Sequence, residues 1–339
     1  MTFRVAINGY GRIGQSLLRA VYQRGLQSDL KIVALNELAD IETLAYLTRY
    51  DTTHGRFPLS VSHQHDQLLI GQDSIQVLGI SCANELPWQS LDIDLVMECS
   101  GSFSSREAAE QHLRSGAKRL LFSHPAEPDI DATVVYGFNH HLIKPEHRLL
   151  SAASCTTNCL IPVLDVLDKA YGILNGVTTT IHSAMNDQPV IDSYHHTDLR
   201  LTRSALHSII PVDTGLSKGI DRLLPHLAGR FECLHVRVPT INVSLMDLSV
   251  NVERSTTPAE VNRLLKDYAE STAHFGLVGY TEEPHASVDF NGDHRSTIVD
   301  GTQTRVSGGR LLKLMCWFDN EWAYANRMLD VAQYWLNQR

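Results

Sequence analysis

The segment Gly9-Tyr-Gly11-Arg-Ile-Gly14 constrains this chain more than any other, because of what flanks it. Arg4 to Asn8 reads as a strand, and Arg12 to Arg24 carries helical periodicity up to a stop at Gly25. In that setting the three glycines have distinct roles. Gly9 permits a tight turn, Gly11 lets a pyrophosphate approach the backbone, and Gly14 lets helix and strand pack closely. The free N–H groups of the helix start then face phosphate oxygens. Without such flanks a GxGxxG is often only a turn.

A second strand, Lys31 to Asn36, ends at Glu37, about 28 residues after Gly9 and so beyond the usual spacing of roughly 20 for the acid of a dinucleotide site. A carboxylate there accepts both ribose hydroxyls and repels a 2′-phosphate, so NAD is preferred over NADP. The competing reading is that Glu37 merely caps the helix predicted over Asp40 to Tyr50. A further strand (Leu95 to Cys99), a helix (Ser105 to Ser115, stopped by Gly116) and a strand (Arg119 to Phe122) continue the alternation. This pattern is that of a doubly wound, Rossmann-type parallel sheet.

The second half differs. Strand-like segments at Val177 to Ser183, Leu234 to Val238, Asn242 to Val252 and Arg310 to Phe318 are interrupted by a helix at Pro258 to Ser271, and a helix from Glu321 to Leu336 closes the chain. The overall class is α/β, an N-terminal doubly wound domain plus an α+β catalytic domain with a mostly antiparallel sheet. At 339 residues two domains are expected, and with no linker-like tract the boundary falls near Ser151 to Cys155, giving 1–154 as the NAD-binding domain and 155–319 as the catalytic one.

A net charge of −9 argues against general nucleic-acid or membrane-surface binding, which needs excess Lys and Arg. The start of the chain lacks secretory-signal features and no apolar run is long enough to span a bilayer, so a cytoplasmic location is expected. Cys82, Cys99, Cys155, Cys159, Cys233 and Cys316 lack the spacing of a zinc site or a disulfide scaffold, as expected of free thiols. The neighbouring histidines His63 and His65, His140 and His141, and His195 and His196 lack partners at ligand spacing, so no metal is expected.

Ser151-Ala-Ala-Ser154-Cys155-Thr156-Thr157-Asn158-Cys159 places a cysteine where small polar residues give way to a helical run, Leu160 to Ala170. Unpaired N–H donors and the helix dipole favour a thiolate there, so Cys155 is expected to have a lowered pKa and to attack aldehydes. Cys159, one turn further in, reads as a buried structural thiol. Of 17 histidines, His182 in the strand Thr178-Thr-Thr-Ile-His182 is the best placed partner. By residue pattern alone a strand histidine is more often a satisfied core or surface group.

Together, Ala6-Ile-Asn-Gly-Tyr-Gly-Arg-Ile-Gly14, Ser154-Cys-Thr-Thr-Asn158, Ile210-Pro-Val-Asp-Thr-Gly215, Arg237-Val-Pro-Thr-Ile-Asn-Val243 and Trp317-Phe-Asp-Asn-Glu-Trp322 resemble the glyceraldehyde-3-phosphate dehydrogenase family from end to end. Ile181-His-Ser-Ala-Met-Asn-Asp-Gln188, Asn36-Glu-Leu-Ala-Asp40, Phe122-Ser-His-Pro125 and the segment Asp300 to Gly309 look most like a branch of it that oxidises erythrose 4-phosphate. The resemblance implies Cys155 as nucleophile and His182 as its activating, proton-shuttling partner. It further implies Ser154, Thr156, Thr214, Gly215 and Arg237 on the substrate and its phosphate, Arg12 and Ile13 on the cofactor backbone, Asn320 on the nicotinamide carboxamide, and Tyr324 lining that pocket. It also implies a homotetramer, with the segment Ile181 to Pro211 packing between subunits, and a C-terminal helix within 320–339 that returns to the first domain.

Departures from the family pattern bear on the substrate. Where the glyceraldehyde-phosphate branch places threonines, three and five residues after the histidine, this chain has Met185 and Asp187. A thioether cannot donate to phosphate and a carboxylate repels it, which suits a longer four-carbon aldehyde and water rather than inorganic phosphate as the thioester acceptor. Leu201 stands where many relatives carry an arginine, leaving Arg200 and Arg203 as candidates for the phosphate. Ser81 stands where an arginine often meets the adenine end of NAD. The expected activity is thus NAD-dependent oxidation of erythrose 4-phosphate to 4-phosphoerythronate, which in relatives feeds pyridoxal phosphate synthesis. Alternatives are a phosphorylating glyceraldehyde-3-phosphate dehydrogenase and, less favoured by the charge and by Cys155 with His182, a non-catalytic nucleotide or RNA binder.

Overall fold

A computed structural model describes residues 2–195, 198–271 and 276–338; His196 lies outside them. The chain divides into two compact units, residues 1–154 with 324–339, and residues 155–323.

The first unit is built on a nine-stranded sheet. From one edge its order is Ala132–Thr133, Leu149–Ser151, Arg119–Phe122, Leu95–Glu98, Phe3–Asn8, Leu30–Asn36, Asp73–Leu78, Gln67–Ile70 and Val61–Gln64. Every pairing is parallel except the last two. The order reverses at Phe3–Asn8, whose neighbours are the strand that follows it and the later Leu95–Glu98, and it is at such a switch point that open α/β sheets leave a crevice. The central strands are buried from Val5, Ile32 and Leu95 onward, as a sheet covered on both faces requires. Ala6, Val33, Val96, Leu120 and Phe122 pack with Trp88, Ile93 and Ala109 in one core.

The helix Arg12–Gln23 ends where Gly25 adopts φ 67°. The helix Ile41–Arg49 is capped by Asp40, whose side chain accepts from Thr43 N; Glu37 is not its cap. Residues 61–78 form an antiparallel meander that the sequence pattern does not announce, since Ser62 to Gln67 is almost wholly polar.

The second unit carries an eight-stranded, mostly antiparallel sheet. Its order is Ile210–Val212, Phe231–Val238, Ile173–Ser183, Ser244–Val252, Leu311–Phe318, Thr297–Asp300 and Val278–Thr281, with Arg305–Ser307 pairing beside Leu311–Phe318. Phe231–Val238 and Ile173–Ser183 run parallel, in a register that sets Thr180 beside His235 and His182 beside Arg237. The strand Ile173–Ser183 begins earlier than its alternation suggests: Gly176 interrupts the pattern, yet a Cβ there would overlap the Phe231 ring and Val250.

The helix Cys155–Tyr171 also starts earlier than Leu160, at the cysteine itself. Thr156, Thr157 and Asn158 are weak helix formers, but all three are buried, so tertiary packing overrides propensity. Pro162 lies inside this helix, where it removes one internal donor. Among the described residues no helix is long and apolar enough to cross a membrane.

Candidate active site

Within the first unit, the strand Phe3–Asn8 delivers the chain into the turn at Gly9, which has φ 88°. A side chain there would be strained, and its Cβ would sit 2.5 Å from the Ser100 backbone. Gly14 is tighter still, since a Cβ would overlap the Gly9 carbonyl oxygen, whereas at Gly11 a Cβ would meet nothing within 4 Å. The first and third glycines are therefore packing requirements, and the middle one faces open space. Beside it lies a cleft of about 320 Å³ lined by Asn8, Gly9, Gly11, Asn36, Glu37, Ser81, Ser100 and Phe103 among others.

Glu37 closes one side of this cleft, its carboxylate accepting from Tyr10 N at 2.8 Å and Leu38 N at 2.7 Å. Those bonds fix its position at the end of Leu30–Asn36. Behind the cleft the buried Glu98 accepts from Asn8 Nδ2 at 2.5 Å and Ser100 N at 2.8 Å, with His112 Nε2 at 3.4 Å. Trp88 Nε1 donates to His112 Nδ1 at 3.0 Å, which leaves Nε2 as the protonated nitrogen facing the carboxylate. Burial opposes the charge on Glu98, but its donors prevail and its pKa is lowered. This network holds Ser100 against Gly9.

The Arg12 guanidinium is committed to Asp51, with contacts of 2.7 and 3.1 Å, so the part of Arg12 presented to a phosphate at the helix start is its backbone, as for Ile13. Tyr324 is buried and spends its hydroxyl on the Ala153 carbonyl at 2.9 Å. Ala153, two residues before Cys155, has φ 59°; its N–H donates to Ser151 Oγ at 3.0 Å, so the strained turn is held from both ends.

In the second unit Cys155 Sγ lies 3.8 Å from His182 Nε2. His182 Nδ1 is 2.8 Å from the Ser183 carbonyl, which can only accept, so Nδ1 carries the proton and Nε2 presents its lone pair to the thiol. The lowered thiol pKa expected from the helix terminus does not hold in this pocket. Burial pushes the Cys155 thiol up to about 11, against the N–H groups of Thr156 and Cys155 and the charge of Arg237. Burial likewise lowers His182 to about 4, with Arg237 acting in the same direction and the Ser183 carbonyl opposing. The base expected near neutrality is thus held neutral, and the resting pair is thiol and imidazole. Cys159 is buried and donates to Thr297 Oγ1 at 3.3 Å, a structural thiol.

Arg237, on the strand beside His182, is buried and donates from Nη1 to Asp187 Oδ1 at 3.2 Å and Gln188 Oε1 at 3.3 Å. Thr214 Oγ1 accepts from Leu216 N at 3.2 Å, placing Thr214 and Gly215 at the start of the helix Leu216–Leu223. Thr156 is buried in the first turn after Cys155, and Ser154 immediately precedes it. Arg203 is held by Asp192 at 2.9 Å on an exposed surface, and Arg200 is exposed on the turn Leu199–Thr202. Asn320 Oδ1 accepts from Ser183 Oγ at 3.1 Å and Ser244 Oγ at 2.9 Å, which fixes the amide's orientation. Asp319 binds Asn242 Nδ2 at 2.9 Å, so two motifs far apart in the chain support each other. Among the described residues no group of three or more His, Cys, Asp or Glu is arranged to hold a metal ion.

Sequence reasoning did not single out His235, whose ring lies 5.4 Å from that of His182 at 30°. The signal was present, since His235 is two residues before Arg237 on one strand and so shares its face.

A glycine turn thus opens onto a cleft with an acid at its side, and a cysteine lies beside a histidine. Residues 3–106 match the NAD binding domain of glyceraldehyde 3-phosphate dehydrogenase, and residues 154–320 match the C-terminal domain of the same enzyme. The two matches span most of the chain, which belongs to the glyceraldehyde-3-phosphate dehydrogenase family and is an NAD-dependent oxidoreductase. The cleft fits NAD in its own terms: the space before Gly11 admits a pyrophosphate, and the fixed carboxylate of Glu37 suits ribose hydroxyls.

Proposed function

We propose that the chain oxidises erythrose 4-phosphate to 4-phosphoerythronate and releases the product by hydrolysis. The observation that carries this reading is the engagement of Arg237 by Asp187 and Gln188. With Asp187 on that guanidinium and Met185 offering no donor, the segment after His182 is poorly suited to a second phosphate.

As sulfur adds to the aldehyde carbon, the thiol proton passes to His182 Nε2 and on to the new oxyanion, giving a hemithioacetal on Cys155. The Cys155 backbone N–H and the protonated imidazole stabilise the oxyanion on the way. Bound NAD supplies the hydride acceptor. The hydride leaves the carbon, the oxygen loses its proton to His182, and a thioester remains. His182 first releases that proton to solvent; the neutral imidazole then takes a proton from water as it attacks, the C–O bond forms, the C–S bond breaks, and the departing sulfur takes the proton back from His182, restoring the thiol. Arg237, Thr214, Gly215, Ser154 and Thr156 hold the substrate and its phosphate in this reading, with Arg200 and Arg203 as further candidates. Gly9, Gly11, Arg12, Ile13, Gly14, Glu37, Ser81, Asn320 and Tyr324 serve the cofactor.

The assembly we propose is a homotetramer in the cytoplasm, supplying pyridoxal phosphate synthesis. Val190, Ile191, Tyr194, Leu199, Leu206 and Ile209 are all exposed within one stretch, which supports an interface there. Sedimentation of the purified protein tests the stoichiometry.

The deciding assay is NADH formation with erythrose 4-phosphate and with glyceraldehyde 3-phosphate, each with and without inorganic phosphate. Preference for the four-carbon aldehyde without a phosphate requirement is the expected result. Strict phosphate dependence with the three-carbon aldehyde would overturn it in favour of the glycolytic reaction.

A further inference from the structure

His182 is not alone in its pocket. The parallel register places His235 beside Thr180 and Arg237 beside His182, so His235 and Arg237 reach the same face of the sheet. The two imidazoles lie with ring centres 5.4 Å apart and their planes tilted by 30°. His235 Nε2 is buried and has no hydrogen-bond partner among the described residues. A buried polar atom left unpaired is costly, on the order of 1–3 kcal/mol, and an aliphatic or phenyl side chain would fill this place without that cost.

We propose that His235 is a positioning residue acting through His182, its tilted neighbouring ring fixing the plane of the catalytic imidazole and holding it in the neutral form. This rests on the reading of Cys155 and His182 as the reacting pair.

The charged and titratable groups around the ring pair explain the direction. His182 meets Cys155 from the helix start, Arg237 and His235 from the neighbouring strand, and Asp187 and Glu321 from the segments beyond. His235 meets His182 and Arg237, and the strand on its other side, Ile210–Val212, brings no titratable group. Burial lowers His235 to about 3, and His182 and Arg237 push the same way. A proton on His235 therefore has no carboxylate of its own to meet. Two neutral imidazoles leave Nε2 of His182 able to take the thiol proton as sulfur adds to the aldehyde, and leave the resting sulfur a thiol, slower to react with adventitious electrophiles and oxidants than a thiolate.

The test is the rate of Cys155 alkylation by iodoacetamide across pH, located by peptide mapping, in the full-length protein and in His235→Phe, His235→Gln and His182→Asn. In His235→Phe, His182 faces an aromatic ring that favours a cation. The thiolate–imidazolium pair then forms at lower pH, so the alkylation midpoint is expected to fall by about one pH unit and the pH profile of kcat/KM to move with it. His235→Gln, which keeps polarity but not the ring contact, is expected to move in the same direction. Unchanged midpoints in both His235 variants, with His182→Asn still altering the profile, would overturn the role of His235 and leave the Cys155–His182 pair standing. Insensitivity of Cys155 alkylation to His182→Asn would refute the pair itself. Failure of both His235 variants to fold would make His235 a structural residue and equally overturn the proposal.

Discussion

In the cofactor cleft the defining residues come from one short stretch and the strand after it: Gly9 and Gly11 lie in one turn, Gly14 in the first turn of the helix that follows, and the acid comes directly after the next strand. In the thiol pocket Cys155 starts a helix, while His182 and Arg237 lie near the ends of two strands, so tertiary packing and sheet register bring them together. The first arrangement is local geometry that glycine alone permits; the second is long-range pairing, and its electrostatics come from burial rather than from any residue's ordinary chemistry. A site of the first kind is fragile to a single methyl group. One of the second kind tolerates local change but depends on the charges around it.

The sharpest separation of the two comes from Cys155→Ala, which is expected to reduce NADH formation by at least about 10⁴-fold while NAD affinity, measured by fluorescence titration, stays within about threefold. Retained turnover would remove the covalent step. Gly9→Ala strikes the other region: with φ 88° and a Cβ only 2.5 Å from Ser100, either the turn or Ser100 must shift. NAD affinity is expected to fall more than about tenfold, roughly 1.4 kcal/mol, with Cys155 alkylation little changed; an unaltered NAD titration would show that the turn is not what shapes the cleft.

The smallest effect concerns stability and pH. His182 and His235 are lowered by burial to about 4 and about 3, below the ordinary histidine value. Between these values and about 6.5 the unfolded chain binds protons that the folded chain excludes, so stability is fully present above about pH 6.5 and falls as pH drops toward 4. The urea midpoint is expected to decline over that window and to decline less in His235→Phe. A variant that tracks the wild-type curve throughout would show that burial of His235 contributes nothing to acid lability.

The parallel first unit was legible because its signals are local. Gly25 and Gly116 stop helices at positive φ, and the buried central strands read as continuous apolar runs. The hairpin strands Val61–Gln64 and Gln67–Ile70 were not, because an edge meander with polar tips has too few apolar positions to show a period. The weak helix formers after Cys155 hid the true start of that helix, which burial of Thr156, Thr157 and Asn158 decides.

From sequence alone the glycine turn, the acid at Glu37 and the cysteine beside a helix start were determined, since each is a requirement of backbone geometry or side-chain chemistry within a few residues. Tertiary structure decided which partners those groups meet. It set His235 on His182, gave Arg237 to Asp187, and placed Cys155 and His182 where desolvation outweighs the helix terminus. Pairing register and loss of water are properties of the folded whole, and no local pattern records them.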